Sequence, residues 1–228
     1  MKTKIIKLNS VDSTNEYCKR LITEKNVIVT SKVQTAGKGT KGRSFVSDSG
    51  GLYISVMRTM ENFDEKNVFS IMISCCVAVC RTVESFGVKP TIRWANDVLI
   101  GGKKICGTLI ENTLSSHHIC RSIVGMGINV NNELPAELQS IATSLREEAG
   151  KKISLNKVRK RLLENLKNEY TIENYKSFID WLGSTVTLNA GGKISKAKAL
   201  DIAEDGRLVC EIDGEIRKIS SAEVSLRL

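Results

Sequence analysis

The stretch QTAGKGTKGRSFVS, residues 34–47, sets Lys38, Lys41 and Arg43 among Gly37, Gly39 and Gly42, with no acidic residue to neutralise them. Glycines let the backbone take positive φ and approach a ligand closely. Successive free N–H groups in such a loop form an anion-binding concavity. An arginine adds a two-donor grip on a phosphate. The chemistry on offer is anion binding. The spacing is not the GxxxxGK[ST] of a P-loop. Taken alone, the stretch also reads as a solvated surface loop.

Three further segments carry groups of the same kind. In RWANDVLIGGKKICGTLIE, residues 93–111, a Trp-Ala-Asn-Asp turn joins two strands, and Lys103-Lys104 precede a strand containing Gly107. Lys104 at the start of a buried strand can point inward as a fixed cation, and Asn96 can bond a phosphate oxygen. A plain turn at Asn96-Asp97, an exposed Lys104 and a bulge at Gly107 are the competing readings. In GMGINVN, residues 125–131, two glycines leave space for a flat group, and Asn129 offers an amide to a heterocycle edge. DSTN, residues 12–15, reads as a helix N-cap, with Glu16 three residues after Ser13 as a capping-box signal. A helix start also presents hydroxyls and free N–H groups to a polar ligand.

These groups need elements to hold them. KIIKL (4–8), VIVTSKV (27–33), GLYISVMR (51–58), IRW (92–94), VLI (98–100), 104–111 and 120–131 read as strands. Helices are expected from Ser13 to about Glu24, over 65–86 and over 154–181. The mixture of strands with helices laid over one face defines an α+β class. From Gly183 onward apolar and polar residues alternate, punctuated by Asp205-Gly206 and Asp213-Gly214. Those are hairpin signals, and the segment reads as a small barrel. The expected domains are 1–182 and 183–228.

Composition narrows the class. With 228 residues, 41% hydrophobic and 26% charged, the chain can bury a real core. The apolar run at 68–80 is well short of the ~20 residues a membrane span needs, and no signal peptide is read at the N-terminus. Seven cysteines, none in a Cys-x-x-Cys pair, fit reduced thiols and a cytoplasmic protein. The two histidines, His117 and His118, are adjacent and read as exposed turn residues, which argues against a catalytic triad and a metal centre. The net charge of +9 attracts anionic partners. Part of it sits in KKISLNKVRKR, residues 151–161, read as a solvated helix face.

In this order, D-S-T-N, Q-x-A-G-K-G-x-x-G-R, W-x-N-D, K-x-x-G-x-L-x-E and G-x-G-I-N resemble the biotin protein ligase family over nearly the whole chain. The resemblance implies a mixed sheet related to class II aminoacyl-tRNA synthetases plus an SH3-like C-terminal β-barrel. It implies ATP-dependent formation of biotinyl-5′-adenylate, with Mg²⁺ held by the ATP phosphates rather than by the protein. Biotin then passes to a lysine of a biotin carboxyl carrier protein. Larger members carry an N-terminal DNA-binding repressor module; with D-S-T-N beginning at residue 12, a form without it is expected, and no specific DNA or membrane partner. Family members are homodimers or monomers.

By resemblance, Ser13, Thr14, Asn15, Gln34, Gly37, Lys38, Lys104 and Gly107 bind biotin. Gly39, Thr40, Lys41, Arg43, Phe45, Asn96, Lys104 and Asn129 bind the nucleotide, with Lys104 and Arg43 as the catalytic cations. The chain departs from the pattern at Thr40, where an Arg is usual, and at Lys38, Phe45, Arg93 and Ala95. Lys41 or Arg43 is expected to compensate for Thr40. The rivals are a lipoate or octanoate transferase, a nucleic-acid-binding module, and a biotin-binding relative with reduced turnover. The nucleic-acid reading lacks interleaved aromatics for stacking.

Overall fold

A computed structural model describes residues 3–64, 67–115, 118–190, 192–221 and 225–227; His117 lies outside them. The first half of the chain runs β1 (Lys4–Val11), α1 (Thr14–Arg20), β2 (Val27–Gln34), β3 (Leu52–Asp64), α2 (Val68–Glu84), β4 (Thr91–Arg93), β5 (Asp97–Ile100), β6 (Lys103–Ser115) and β7 (His118–Ile128). These strands form one seven-stranded sheet in the order β1-β2-β3-β7-β6-β5-β4. β1 and β2 are parallel, joined across α1, and the other neighbours are antiparallel, so the sheet is mixed.

Strand β2 shows why the sheet is covered on both sides. Its β-branched residues alternate direction. Val27 and Val29 pack with Cys18 of α1, Met57 and Ile123. Ile28 packs with Ile54, Val56 and α2 in the main core. Helices α2, α4 (Leu155–Asn165) and α5 (Ile172–Lys176) lie on that second side, as expected. α1 alone lies on the first. It stops at Arg20 instead of reaching Glu24, because Leu21 turns extended. The helix expected over 154–181 is likewise divided. α4 ends at Asn165, and Thr171 opens α5 with a capping box to Asn174. A short α3 (Leu145–Glu148) precedes them, capped by Ser144.

The break brings aromatic residues into the core. Tyr175 is fully buried and its hydroxyl donates to the Ala95 carbonyl at 2.8 Å; the Trp181 indole donates to the Ile92 carbonyl at 2.8 Å. Segment 92–95 is thus held by two buried side-chain donors from the helical layer.

After residue 183, β8 (Thr185–Ala190), β9 (Lys193–Ile202), β10 (Leu208–Ile212), β11 (Glu215–Ile219) and β12 (Ser225–Arg227) form an antiparallel sheet in the order β11-β10-β9-β8-β12. The Asp213-Gly214 signal makes a two-residue turn with both residues at positive φ, 52° and 81°. The Asp205-Gly206 turn does more. The Gly206 carbonyl accepts the buried Trp94 indole N–H at 2.9 Å, and the Phe69 ring lies where a Gly206 Cβ would stand. Trp94→Phe keeps an aromatic ring, though a smaller one, and leaves that carbonyl without its donor. An expected loss of about 1–3 kcal/mol follows, readable as a lower urea midpoint at unchanged m-value. An unchanged midpoint would show that the bond is not needed there.

Candidate active site

A cavity of about 710 Å³ opens on the α1 side of the large sheet. Its base is β6 and β7, where Gly107 faces Gly127 and Leu109 faces Gly125 across the ladder. None of these glycines has positive φ; they are needed for space. A Cβ on Gly125 would strike the Asn15 amide. One on Gly127 would stand 2.6 Å from the Phe45 ring, and one on Gly107 would stand 2.9 Å from Lys104 Nζ. Bare backbone therefore makes room for the Asn15 amide, the Phe45 ring and the Lys104 ammonium, which close over the floor and wall the cavity between α1, the 34–47 loop and β6. Gly107 is no bulge; the extra residue in this ladder is Ile105, two positions earlier in β6, since Val98 pairs with Cys106 and Leu99 with Lys104.

One end of the cavity is uncharged and densely hydrogen-bonded. Gln34 Oε1 accepts from the Thr14 N–H at 2.8 Å and the Thr14 hydroxyl at 3.0 Å, while Gln34 Nε2 donates to Ser47 Oγ at 2.8 Å. Ser55 Oγ lies 2.7 Å from Thr14 Oγ1 and donates to Asn15 Oδ1 at 2.6 Å. Asn15 Nδ2 in turn donates to Glu111 at 2.8 Å. The expected Ser13–Glu16 capping box is not formed. Ser13 is the N-cap residue but makes no cap hydrogen bond, and Gln34 takes the first free N–H instead. Glu16 is drawn away by Lys38 at 2.7 Å and Lys19 at 2.9 Å. Those two ammonium groups hold its carboxyl below the usual value. Ser13 is buried, yet it lines the cavity.

The other end is cationic. The 34–47 loop is a narrow hairpin closed by bridges Gln34–Ser47 and Lys38–Ser44. Arg43 projects from it to line the cavity, joined by Arg93, Lys104, Asn96 and Asn129 from the sheet. Lys104 follows the Gly101-Gly102 turn, both at positive φ, and its backbone is bonded to Ile141 and Thr143. Its Nζ lies 2.6 Å from Asp97 Oδ1 and 5.8 Å from the Phe45 ring centroid. Arg93 reaches Asp97 Oδ2 at 2.7 Å. Asn129 Oδ1 accepts from Asn132 at 3.1 Å, which turns its amide nitrogen free. Asn96 Nδ2 donates to the Thr108 carbonyl at 2.7 Å.

Burial works to raise the Asp97 carboxyl, but Lys104 and Arg93 outweigh it and hold it below the usual value. A carboxyl depressed in the folded state stabilises the fold above its unfolded pKa, and that contribution is lost as pH falls toward the folded value. Asp97→Asn is therefore expected to lower Tm at neutral pH and to flatten the fall of Tm below about pH 4. Thermal unfolding across pH checks this; parallel curves for variant and wild type would remove Asp97 from the acid response.

The structure thus gathers Ser13, Thr14, Asn15, Gln34, Lys38, Gly39, Thr40, Arg43, Phe45, Asn96, Lys104, Gly107 and Asn129 around one cavity. Two residues sit elsewhere. Gly37 is packed beneath the Phe45 carbonyl and lets the loop strands close. Lys41, at φ 57°, faces an adjoining chamber of about 120 Å³ shared with Thr40, Arg43, Arg93 and Ser221. Sequence reasoning missed Arg93 and the apolar rim Leu134, Leu138 and Ile141. The spacing of that rim beside Pro135 was the available signal. Among the described residues, no cluster of three or more His, Cys, Asp or Glu could hold a metal, and no helix is long and apolar enough to cross a membrane.

Residues 8–129 match the Biotin/lipoate A/B protein ligase family, and the chain belongs to it. Residues 181–227 match the biotin protein ligase C terminal domain, which sets the chain with the biotin protein ligases of that family rather than with lipoate-handling members. The Bifunctional ligase/repressor BirA of Bacillus subtilis is 31% identical over 234 residues, covering 96% of this chain and 72% of the relative. The Biotin--[acetyl-CoA-carboxylase] ligase of Mycobacterium tuberculosis is 26% identical over 213 residues, 87% of this chain and 78% of that protein. The biotin protein ligase of Aquifex aeolicus in complex with biotin and ATP superposes with a TM-score of 0.82 at 33% identity, covering 98% of both chains.

Proposed function

We propose that this chain activates biotin with ATP to biotinyl-5′-adenylate and passes biotin to a lysine amine of a biotin carboxyl carrier protein. The observation that carries the reading is the polarity of the larger of the two spaces described: an uncharged hydrogen-bonding end, a glycine floor, and a cationic end. Biotin has the matching form, with a neutral ureido head and a carboxylate tail. The head is read against Ser13, Thr14, Asn15 and Gln34, with Lys38 and Gly107 beside the rings. The tail then meets Lys104, where the α-phosphate must also arrive.

The reaction needs two anions brought together. A biotin carboxylate oxygen attacks the α-phosphorus, and the bond to pyrophosphate breaks. Lys104 and Arg43 screen the repulsion and take up the charge that develops, which fixed cations do without reorganisation. In the second step the neutral lysine amine attacks the acyl carbon and AMP leaves. Asn129, with its free amide nitrogen, suits a ring-nitrogen acceptor of adenine. Mg²⁺ fits here as a passenger of the phosphates. Asn96 is the neutral oxygen donor at hand, and the nearest carboxylate, Asp97, is engaged by two cations. The ion would supply charge neutralisation on the triphosphate.

We read residues 1–182 as the catalytic domain and 183–228 as the SH3-like one, supported by the switch to the second sheet at Thr185. A cytoplasmic setting is supported by the seven cysteines, all free and mostly buried. Pyrophosphate release that requires both biotin and ATP, beside transfer of labelled biotin to a carrier domain, tests the function. Release with lipoate but not with biotin would overturn it.

A further inference from the structure

We propose that Thr40 is a positioning residue that fixes the Arg43 guanidinium at the junction of the main cavity and its adjoining chamber. The proposal rests on the ligase reading above and adds to it a residue that touches no reacting atom. Arg43 is exposed and lines both spaces. A free arginine there would wander among many rotamers, and ordering it would oppose phosphate binding. Here its Nε donates to the Thr40 carbonyl at 3.2 Å and its Nη2 donates to Thr40 Oγ1 at 2.8 Å. A guanidinium has five N–H donors. Two are spent on Thr40, and three are left for an anion, in a fixed plane.

The loop is shaped for this hold. Lys41 (φ 57°) and Gly42 (φ 72°) both take left-handed backbone, so residue 43 returns over residue 40. The Gly39 N–H donates to the Arg43 carbonyl at 2.6 Å and the Arg43 N–H donates to the Thr40 carbonyl at 3.3 Å, closing the turn. The same geometry sends Lys41 away from the main cavity. Of the two cations that could stand in for an arginine at position 40, Arg43 is the one in place. The threonine hydroxyl is the part of this clamp that depends on side-chain identity.

Thr40→Val keeps the β-branched shape and removes the acceptor; Thr40→Ser keeps the acceptor. KM for ATP and for biotin, kcat of pyrophosphate release, and Kd for ATP by calorimetry are measured for these variants, Arg43→Gln and the Val/Gln double. Thr40→Val should raise KM and Kd for ATP about tenfold, the effect of one hydrogen bond to a charged group. KM for biotin should not move, and Thr40→Ser should restore the wild-type value. The double variant should be no worse than Arg43→Gln alone. An unchanged KM and Kd for ATP in Thr40→Val, or effects that add in the double, would overturn the proposal. Absence of biotin-dependent release in the wild type would sink the ligase reading instead, and the calorimetric Kd for ATP would still decide the role of Thr40.

Discussion

Lys104→Met is expected to lower kcat/KM for biotin-dependent pyrophosphate release by about a thousandfold, as loss of one preorganised charge-stabilising donor does elsewhere. The lysine is fixed on every side. Its backbone is held by Ile141 and Thr143, and its ammonium sits between Asp97 and the Phe45 ring. Two like charges 4 Å apart at a protein surface repel by about 4 kcal/mol, so a cation beside both is worth orders of magnitude in rate. Methionine keeps the stem and its packing. It also leaves buried Asp97 with Arg93 as its remaining cation, so some loss of Tm accompanies the loss of rate. The Lys104→Met, Asp97→Asn double separates the two effects. Stability should recover there, because no buried carboxylate is left half-paired, while adenylation should stay lost. Recovery of activity in the double would show that Lys104 serves to neutralise Asp97 rather than the substrates.

Gly125→Ala should weaken biotin binding by about a hundredfold, with ATP binding in the absence of biotin unchanged. The added methyl would occupy the space of the Asn15 amide. Asn15 is the hub of the uncharged end: it accepts from Ser55 at 2.6 Å and donates to Glu111 at 2.8 Å. Pushing it aside leaves buried partners unmatched, at about 1–3 kcal/mol for each group. Two such losses reach the stated factor. Calorimetric titration with each substrate reads the two ends of the cavity separately. Equal weakening of biotin and ATP would mean that the floor acts on the whole cavity rather than on one end.

How much of this could be read from the chain depends on the range of the interactions. The two-residue turn at Asp213-Gly214 was legible because both residues must take positive φ, and that demand is local. The site residues were legible as a set because their order matched a family pattern. Their individual duties were less so. The signature Ser13-x-x-Glu16 reads as a capping box, but Gln34, twenty residues on, supplies the acceptor. Nothing local distinguishes Lys41 from Arg43; a left-handed residue at 41 decides which cation faces the cavity. Arg93 gains its place only through a shared partner, Asp97. The basic run at 151–161 reads as a solvated face, and its lysines are exposed on and before α4, across the sheet from the cavity.

Segment 92–95 has one more property. The chain has two tryptophans, and both belong to the fastening of this segment: Trp94 lies within it, and Trp181 donates to it. Trp94 also borders the chamber shared with Arg43 and Arg93. The unlabelled protein therefore carries its own optical reporter at the cationic end of the site. Emission collected in a stopped-flow mix with ATP would time the arrival of nucleotide, with buried Trp181 as the other emitter and a Trp181→Phe variant to isolate Trp94.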